Sequence, residues 1–207
     1  MVDFHDVLNI IKSRRSIRNF SAQDTVNDEL IESLVEAVQW APSPLNRQPW
    51  KLIIVRDVNV IHSIAHIVEQ ECSVPSKLHE DDGKIYQGYV SNFLFFRHAS
   101  CVIFVTAKKL LGFTSSFHKN AERETRDSLL LSVGAAVQNL LLLTHTLGLG
   151  SCWMTGPLIA KAQIEDILDI NEPWELFSVI PIGKAVANQK GSRKNITTFW
   201  EEYQSAK

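Results

Sequence analysis

Residues 14–20 read Arg-Arg-Ser-Ile-Arg-Asn-Phe, and this stretch decides how the rest of the chain is interpreted. Arg14, Arg15 and Arg18 flank a hydroxyl group at Ser16. Guanidinium and hydroxyl groups at this spacing can hold a phosphate through charge-assisted hydrogen bonds. A solvated surface turn has the same composition, and many phosphate sites are marked by glycines instead. Taken alone, the basic cluster is compatible with both readings.

The elements next to the cluster can be predicted from apolar spacing. Phe4, Val7 and Ile11 repeat at helical intervals, so a short amphipathic helix should lead directly into the arginines. Thr25 followed by Asp28 indicates the start of a second helix, which should run to about Trp40. The cluster is therefore expected in a connection between two helices.

A second polar segment follows, Ala-Pro-Ser-Pro-Leu-Asn-Arg-Gln-Pro-Trp at residues 41–50. Its three prolines stiffen the backbone, and it leads into a β-branched run. Ser43, Pro44, Asn46 and Gln48 could present ligand contacts. A helix-to-strand connector with hydrogen-bonding amides would look the same, so the residues alone leave this choice open.

Strand-like and helix-like patterns alternate along the remaining chain. The predicted strands are 50–55, 100–106, 150–154 and 177–182, and the further predicted helices are 58–70, 84–96, 121–147 and 158–169. Interspersed elements of both kinds predict an α+β or mixed α/β layered domain that spans residues 1–207. The polar region 72–120 is interpreted as a variable excursion and possible lid, and 185–207 as a C-terminal arm.

Composition narrows the class of function. The formal net charge is -2 and hydrophobic residues make up 45% of the chain, which disfavours nucleic-acid binding and long disorder. Cys72, Cys101 and Cys152 show no paired spacing, and the N-terminus lacks a signal-peptide pattern, so we expect a cytoplasmic location. The apolar stretch Leu129–Leu143 is interrupted by polar residues and predicts a buried helix without a membrane role.

Metal binding is not expected from the histidines. His62 and His66 have an i,i+4 spacing but lack the adjacent glutamate of a zinc-protease helix. Charged and aromatic residues between 72 and 120 could bind a charged substrate or could be solvated surface residues, and we favour the second interpretation. These residues are Asp81, Asp82, Lys84, Tyr86, Tyr89 and Arg97.

The two polar segments together resemble the FMN-binding nitroreductases. The resemblance rests on Arg-Arg-Ser-Ile-Arg-x-Phe followed by Pro-Ser-x-x-Asn-x-Gln-Pro-Trp. It extends to Gly134–Leu142 and to Leu147–Trp153, which resemble the long central helix of that family and the strand after it. It is weakest over residues 57–125.

The resemblance implies a three-layer α+β fold, with a mainly antiparallel central sheet flanked by helices, in an intertwined homodimer. It implies FMN at the subunit interface, NADPH or NADH as the reductant, and a small electron-poor acceptor such as a nitroaromatic or a quinone. The flavin performs the chemistry, so no catalytic side chain is expected. Neither a membrane nor a nucleic-acid partner is implied.

Carried over motif by motif, the resemblance gives a set of cofactor-binding residues. The phosphate and ribityl chain should lie against the basic cluster, the Pro-Ser loop should reach the partner's flavin, and backbone N–H groups after the Gly-Leu-Gly strand should face the ring. A basic residue near the C-terminus should complete the phosphate pocket, with Lys190 and Lys194 as neighbours of the best match. The residues are Arg14, Arg15, Ser16, Arg18, Ser43, Pro44, Asn46, Gln48, Met154, Thr155, Gly156 and Arg193.

One departure from the family pattern bears on the reaction. Many members have Pro-x-Glu-Gly where this chain has Trp153-Met154-Thr155-Gly156, which changes the electrostatics above the flavin. Relatives with the same fold include reductive dehalogenases, dehydrogenating tailoring enzymes and a flavin-fragmenting enzyme. A flavin-binding protein without turnover is a further alternative. The sequence leaves the acceptor open.

Overall fold

The computed structural model describes residues 3–21, 26–72, 90, 92–108, 121–187, 189, 191–199 and 201–203. Several residues singled out in the sequence lie outside these ranges. They are Thr25, Asp81, Asp82, Lys84, Tyr86, Tyr89 and Lys190. The lid interpretation of 72–120 falls largely on residues that are not described, and it stays a prediction.

The described residues form five α-helices and four strands. The helices are α1 (Phe4–Ser13), α2 (Asp28–Gln39), α3 (Val58–Cys72), α4 (Ala121–Thr146) and α5 (Lys161–Ile167). The strands are β1 (Trp50–Val55), β2 (Cys101–Lys108), β3 (Gly150–Ser151) and β4 (Trp174–Gly183). Short 3-10 helices cover Pro44–Asn46, Leu94–His98, Gly156–Ala160 and Ile196–Thr198.

The four strands form one antiparallel sheet in the order β1-β2-β4-β3. Side chains of β2 alternate between the two faces of the sheet, as the period of a strand requires. Cys101, Ile103 and Val105 pack with α2 and α4, whereas Val102 and Phe104 pack with α3 on the other face. The sheet is therefore the middle of three layers, and the predicted α+β class is confirmed.

Helix α4 is the long apolar element of the chain. Its segment Arg123–Thr146 is long and apolar enough to cross a membrane by length and composition, and 44% of its most apolar window is buried. Leu129, Val133, Val137 and Leu140 belong to the core shared with α2 and the sheet. The apolar stretch is accounted for by packing in the core, as the prediction of a buried helix proposed.

Several predicted boundaries differ from the structure. Helix α2 begins at Asp28 and is capped by the side chain of Asn27, which accepts from the N–H of Leu30, so the proposed start at Thr25 was too early. The strand expected over 150–154 is limited to Gly150–Ser151. The last sheet strand, Trp174–Gly183, begins earlier than the expected 177–182.

Two predicted helices are also changed. Over the described part of 84–96, the chain forms a 3-10 helix at Leu94–His98. The helix expected over 158–169 divides into the 3-10 turn Gly156–Ala160 and α5. Pro157 lies at the first turn of that 3-10 segment, where the lack of an N–H is tolerated. Apolar spacing over short windows does not distinguish these tighter turns from an α-helix.

Replacing Gly150 with alanine should destabilise the protein. A Cβ at this position would lie 2.8–2.9 Å from side-chain atoms of Ile17, which is itself buried. Overpacking of this kind costs about 1–3 kcal/mol of unfolding free energy, measurable by denaturant unfolding. Gly134→Ala is the matched control, because its Cβ would meet Trp153 at an ordinary 3.5 Å. Equal stability of the two variants would contradict this packing.

Candidate functional site: an arginine-lined cavity at the sheet edge

The basic cluster continues the sheet beyond β3. The backbone leaves α1 at Arg14, whose N–H still donates to the carbonyl of Ile10 at 3.1 Å. Ser16 then pairs with Ser151 as a parallel bridge, and the N–H of Ile17 donates to the carbonyl of Ser151 at 2.9 Å. Extended backbone directs successive side chains to alternate sides, so burial of Ile17 fixes where the neighbouring side chains can point.

The end of the cluster is fixed to the chain that follows β4. Phe20 is buried and forms an antiparallel bridge with Ala185. The N–H of Val186 donates to the carbonyl of Asn19 at 3.2 Å. The cluster is therefore held at both ends, and its arginines project from an ordered backbone. The reading as an unattached surface turn does not fit this structure.

Arg14 and Arg15 line a cavity of about 470 Å³ together with Ser151, His145 and Gln189. None of its described lining residues is acidic. The Nε atoms of Arg14 and Arg15 are buried and have no hydrogen-bond partner within the described part of the chain. Buried donors are normally paired, so two orphaned guanidinium nitrogens at one cavity fit an anionic ligand group such as a phosphate.

Arg15 is more strongly held than Arg14. Its Nη1 donates to the carbonyls of Lys12 at 2.5 Å and of Arg14 at 2.7 Å. Gly191 of the C-terminal arm packs against the same guanidinium, since a Cβ there would lie 2.7 Å from Nε of Arg15. Arg15 therefore joins the end of α1 to the arm, and Arg14 has more of its donors available for a ligand.

Arg18 is directed to a different space from the other two arginines. It lines a second cleft of about 510 Å³ with Phe20, Glu69, Arg97 and His98. Its Nη1 has a long 3.4 Å hydrogen bond to the carbonyl of Ser16. In this cleft Nη2 of Arg97 lies 3.5 Å from the carboxylate of Glu69, which neutralises one of the two arginines. The sequence predicted that the three arginines bind one phosphate together. In the structure, Arg14 and Arg15 line one cavity and Arg18 lines another.

Cys152 follows β3 and lies next to the basic cluster. Burial raises the pKa of its thiol above the usual value, and the positive charge of Arg18, a hydrogen bond with Ser16 and the charge of Arg14 act in the opposite direction. Burial similarly raises the pKa of Cys101 in β2 to about 12. Both thiols are therefore protonated at neutral pH, and both are free and buried. Ser16 thus contacts the strand end and is not among the described residues that line the arginine cavity, so its role beside the cofactor stays a prediction.

The turn Trp153–Gly156 follows β3 and lies on the same side of the sheet as the cluster. Met154 is buried, and its N–H and carbonyl both exchange hydrogen bonds of 3.0 Å with Val179. Its N–H is therefore committed to the protein and cannot be the donor predicted for the flavin ring. Thr155 and Gly156 come next, with no hydrogen bond from either N–H seen among the described residues. Gly156 is tightly packed, since a Cβ would lie 2.7 Å from Phe93.

The Pro-Ser loop has an unusual backbone that its own side chains support. Leu45, Asn46 and Gln48 all have positive φ angles, of 53°, 53° and 45°. The Oγ of Ser43 accepts from the N–H of Gln48 at 2.9 Å, and Nε2 of Gln48 donates to Oδ1 of Asn46 at 3.1 Å. Such φ values are uncommon for residues other than glycine and are often found at functional sites. Pro44, Leu45, Asn46 and Gln48 are exposed.

The loop and the basic cluster lie at opposite corners of the sheet. The loop leads into Trp50 of β1, which aligns through Ala107 with Glu175 at the start of β4, whereas β3 pairs with Gly183 at its end. Three strand spacings and eight residues of β4 separate the corners, which amounts to about 30 Å. This is longer than a flavin mononucleotide. Within one chain, the two predicted halves of the site cannot hold the same molecule.

The C-terminal arm reaches the cavity through residues other than the one predicted. Gln189 lines the cavity and Gly191 lies on Arg15. Arg193 is exposed, and its Nη1 donates to the neighbouring carbonyl of Ser192 at 2.8 Å. The role of Arg193 as a phosphate ligand stays a prediction, because no contact of its side chain with the cavity is seen among the described residues.

Sequence reasoning also missed His145 and Ser151. His145 lies in the last turn of α4 and Ser151 in β3, and both line the arginine cavity. His145 belongs to no recognised motif. Ser151 lies in the segment Leu147–Trp153 that carries the family resemblance, but no role was assigned to it. Pairing of distant segments brings both residues to the cavity, so that segment was the one signal in the sequence, and it pointed to Ser151 alone.

A sheet between two helical layers, with an arginine-lined cavity at one edge, defines an α+β protein with a candidate anion-binding site. The chain belongs to the Nitroreductase family, whose model matches residues 11–184. A "Putative NADH dehydrogenase/NAD(P)H nitroreductase" of Methanothermobacter thermautotrophicus is 30% identical over 186 residues, covering 88% of this chain and 79% of the relative. Iodotyrosine deiodinase 1 of Mus musculus is 26% identical over 190 residues, covering 87% of this chain and 61% of that protein.

Solved structures show the same relationship. A BluB-like flavoprotein from Clostridium difficile 630 is similar with a TM-score of 0.84 at 26% identity, covering 99% of this chain and 100% of that one. A "putative nitroreductase in complex with fmn" from Desulfovibrio desulfuricans has a TM-score of 0.68 at 25% identity, with 100% of both chains covered. The predicted family and fold are thereby confirmed.

Replacing Gly191 with alanine should loosen the C-terminal arm. The added Cβ would press on an Arg15 guanidinium that two carbonyls hold in place, so the arm has to move. A local cost near 1 kcal/mol raises the open population about fivefold. We expect correspondingly faster tryptic cleavage after Arg193 or Lys194, followed by mass spectrometry. Ser192→Ala is the control, and equal cleavage rates of the two variants would rule out the contact.

Proposed function

We propose that this chain is an FMN-dependent NAD(P)H oxidoreductase that reduces small electron-poor molecules such as nitroaromatics or quinones. The single observation that carries the proposal is the pair of buried, unpartnered Nε atoms of Arg14 and Arg15 in the cavity beside β3. A phosphate there would complete the hydrogen bonds that the protein leaves unmade. Family membership and the FMN complex of a structural relative support the choice of cofactor.

The residues at this edge would bind and orient the cofactor. Arg14 would hold the phosphate, Arg15 would support it from the end of α1, and Ser16 would lie next to the ribityl chain. The N–H groups of Thr155 and Gly156 would face the flavin ring, close to the cluster because β3 joins them. When bound, FMN would supply the redox chemistry between NADPH or NADH and the acceptor. The protein's contribution is position and electrostatics.

A homodimer would complete the site. The Pro-Ser loop lies about 30 Å from the cluster of its own chain by strand geometry, so Ser43, Pro44, Asn46 and Gln48 can reach a cofactor only in another subunit. Uncovered apolar side chains support such an assembly. They include one face of α1, part of α4 and the arm, namely Phe4, Val7, Ile11, Leu131, Ile196, Phe199 and Tyr203.

The family resemblance favours dimerisation through the same part of α4. Leu131 is 75% exposed on α4, one turn before Ala135, a small residue that allows close helix approach. Helix α1 has an apolar face without a single buried residue. A helix with such a face needs a surface to cover it. A second copy of the chain would provide that cover and bring the loop to the cluster.

Reductive dehalogenation is a second candidate reaction. Relatives named iodotyrosine deiodinases match along most of this chain, although the chain spans only 61% of the length of the mouse protein. In that reaction a carbon–halogen bond is replaced by a carbon–hydrogen bond, with two electrons and a proton consumed and halide released. NAD(P)H would supply the electrons through the same cofactor. A flavin-binding protein without turnover is the third alternative.

Spectroscopy and turnover together test the proposal. We expect the purified protein to bind FMN, to lose the flavin absorbance on anaerobic addition of NADPH or NADH, and to oxidise either nucleotide steadily when a quinone or nitroaromatic is added. Release of iodide from an iodinated phenol would favour the dehalogenase. A single stoichiometric reduction without turnover would indicate the non-catalytic alternative, and no reduction would refute the reductase proposal.

Arg14→Ala should weaken FMN binding by about tenfold or more, because a hydrogen bond to a charged group contributes about 1.5–3 kcal/mol. Arg123→Ala is the matched control, since its side chain is 85% exposed at the start of α4 and lies away from the cavity lining. Fluorescence titration of FMN measures both affinities. Equal affinity of the two variants would exclude the cavity as the phosphate site.

Complementation tests the shared site directly. A homodimer of Arg14→Ala and a homodimer of the double variant Asn46→Ala, Gln48→Ala should both bind FMN weakly. In a heterodimer of the two, one site takes an intact cluster from one chain and an intact loop from the other. We therefore expect one tight FMN per tagged and purified heterodimer. If loop and cluster served the same site within one chain, every site in the heterodimer would stay weak.

A further inference from the structure

The Ser13–His145 pair lies at the mouth of the arginine cavity and has no part in the proposed function so far. His145 is in the last turn of α4, and Ser13 is the last residue of α1. The Oγ of Ser13 lies 2.8 Å from Nε2 of His145. Both residues line the cavity that contains Arg14 and Arg15. Residues 132 positions apart in sequence thus meet beside the orphaned guanidinium groups.

The hydrogen bonds of Ser13 indicate how the imidazole is held. The Ser13 hydroxyl donates to the carbonyl of Ile10 at 3.3 Å, so its oxygen can accept from an N–H at Nε2 of His145. The second ring nitrogen is then left for another partner. The side chain is only partly exposed, because Leu149 and Gly148 continue around the helix end. The ring is therefore oriented by the protein before any ligand arrives.

The charges around the cavity are of one sign. Among the described residues lining the cavity, the charged ones are Arg14 and Arg15, and the neighbours from α1, β3 and the arm are neutral: Ser13, Ser151 and Gln189. Such a lining favours an anionic ligand, and His145 adds a hydrogen-bonding ring to the same cavity.

We propose that His145, held by Ser13, is a third basic group of this cavity and binds the phosphate of the flavin cofactor together with Arg14. The proposal rests on the proposed FMN function and adds a binding residue to it. A phosphate accepts hydrogen bonds, and His145 would donate to it from Nδ1, the ring nitrogen that Ser13 does not contact. His145 then selects for phosphorylated flavin over riboflavin and contributes little to the binding of the isoalloxazine ring.

Comparison of FMN with riboflavin tests this role. For His145→Gln we expect FMN to bind about tenfold more weakly than to the wild-type protein, the loss of one charge-assisted hydrogen bond. Riboflavin affinity should stay within about twofold, because riboflavin carries no phosphate for the lost group to bind. Ser13→Ala, which frees the ring without removing it, should change FMN affinity in the same direction by about threefold. Fluorescence quenching of each flavin provides the measurement.

The matched control is His62→Gln. His62 is exposed and also uses Nε2, which lies 3.2 Å from the carbonyl of Arg97, but it is on α3 and away from the arginine cavity. Its FMN-to-riboflavin preference should equal that of the wild type.

The outcomes separate this inference from the function on which it rests. An unchanged FMN-to-riboflavin preference in His145→Gln overturns the role of His145 while leaving the flavoprotein proposal in place. Equal loss of both flavins also overturns it, because the residue would then only support the structure. Failure of the wild-type protein to bind either flavin would refute both proposals together.

Discussion

The pairing of residues 16–20 with the edge of the sheet is the interaction on which the site depends. The N–H of Ile17 donates to Ser151, and Ile17 fills the space that Gly150 leaves by having no side chain. Phe20 anchors the other end against Ala185. Ile17, between Arg15 and Arg18, and Phe20, after Arg18, thus hold a highly charged segment in extended form. This pairing lets Arg14 and Arg15 line one cavity together with residues of α1, α4 and the arm.

Much of the fold could be predicted because apolar spacing reports burial directly. Helices α2, α3 and α4 were predicted within a few residues, since each has a long periodic face. The short elements were predicted poorly. Strand β3 has only two residues, and its place is decided by pairing with Ser16 and β4, which no local pattern records. The turns at Leu94–His98 and Gly156–Ala160 have the composition of helices but too few residues to show their period.

The two motifs of the site could be predicted from the sequence, but their arrangement in space could not. Sequence spacing suggested that Arg14, Arg15 and Arg18 act together, yet Arg18 lines another cleft because Ile17 is buried between them. It also suggested backbone donors at residues 153–156, and the N–H of Met154 proves to be used by Val179. Both differences arise from the packing and hydrogen bonding of distant segments, which determine where side chains point and which atoms stay available. A sequence motif lists side chains, but it does not show which hydrogen-bonding atoms are already used by other segments of the chain.

The arrangement of the two motifs explains why family membership says more about where a cofactor would bind than about which acceptor would be reduced. Every residue placed around the arginine cavity would act on the phosphate end of a ligand, and none lies where an acceptor must meet the redox-active ring. In the proposed function, the ring end would be bounded by the turn after Met154, where this chain has Thr155, and by Asn46 and Gln48 of a second subunit. An acceptor would then be selected by surfaces that a single chain does not complete. Relatives named nitroreductase and deiodinase match along 88% and 87% of this chain, so the match itself does not choose between the two reactions.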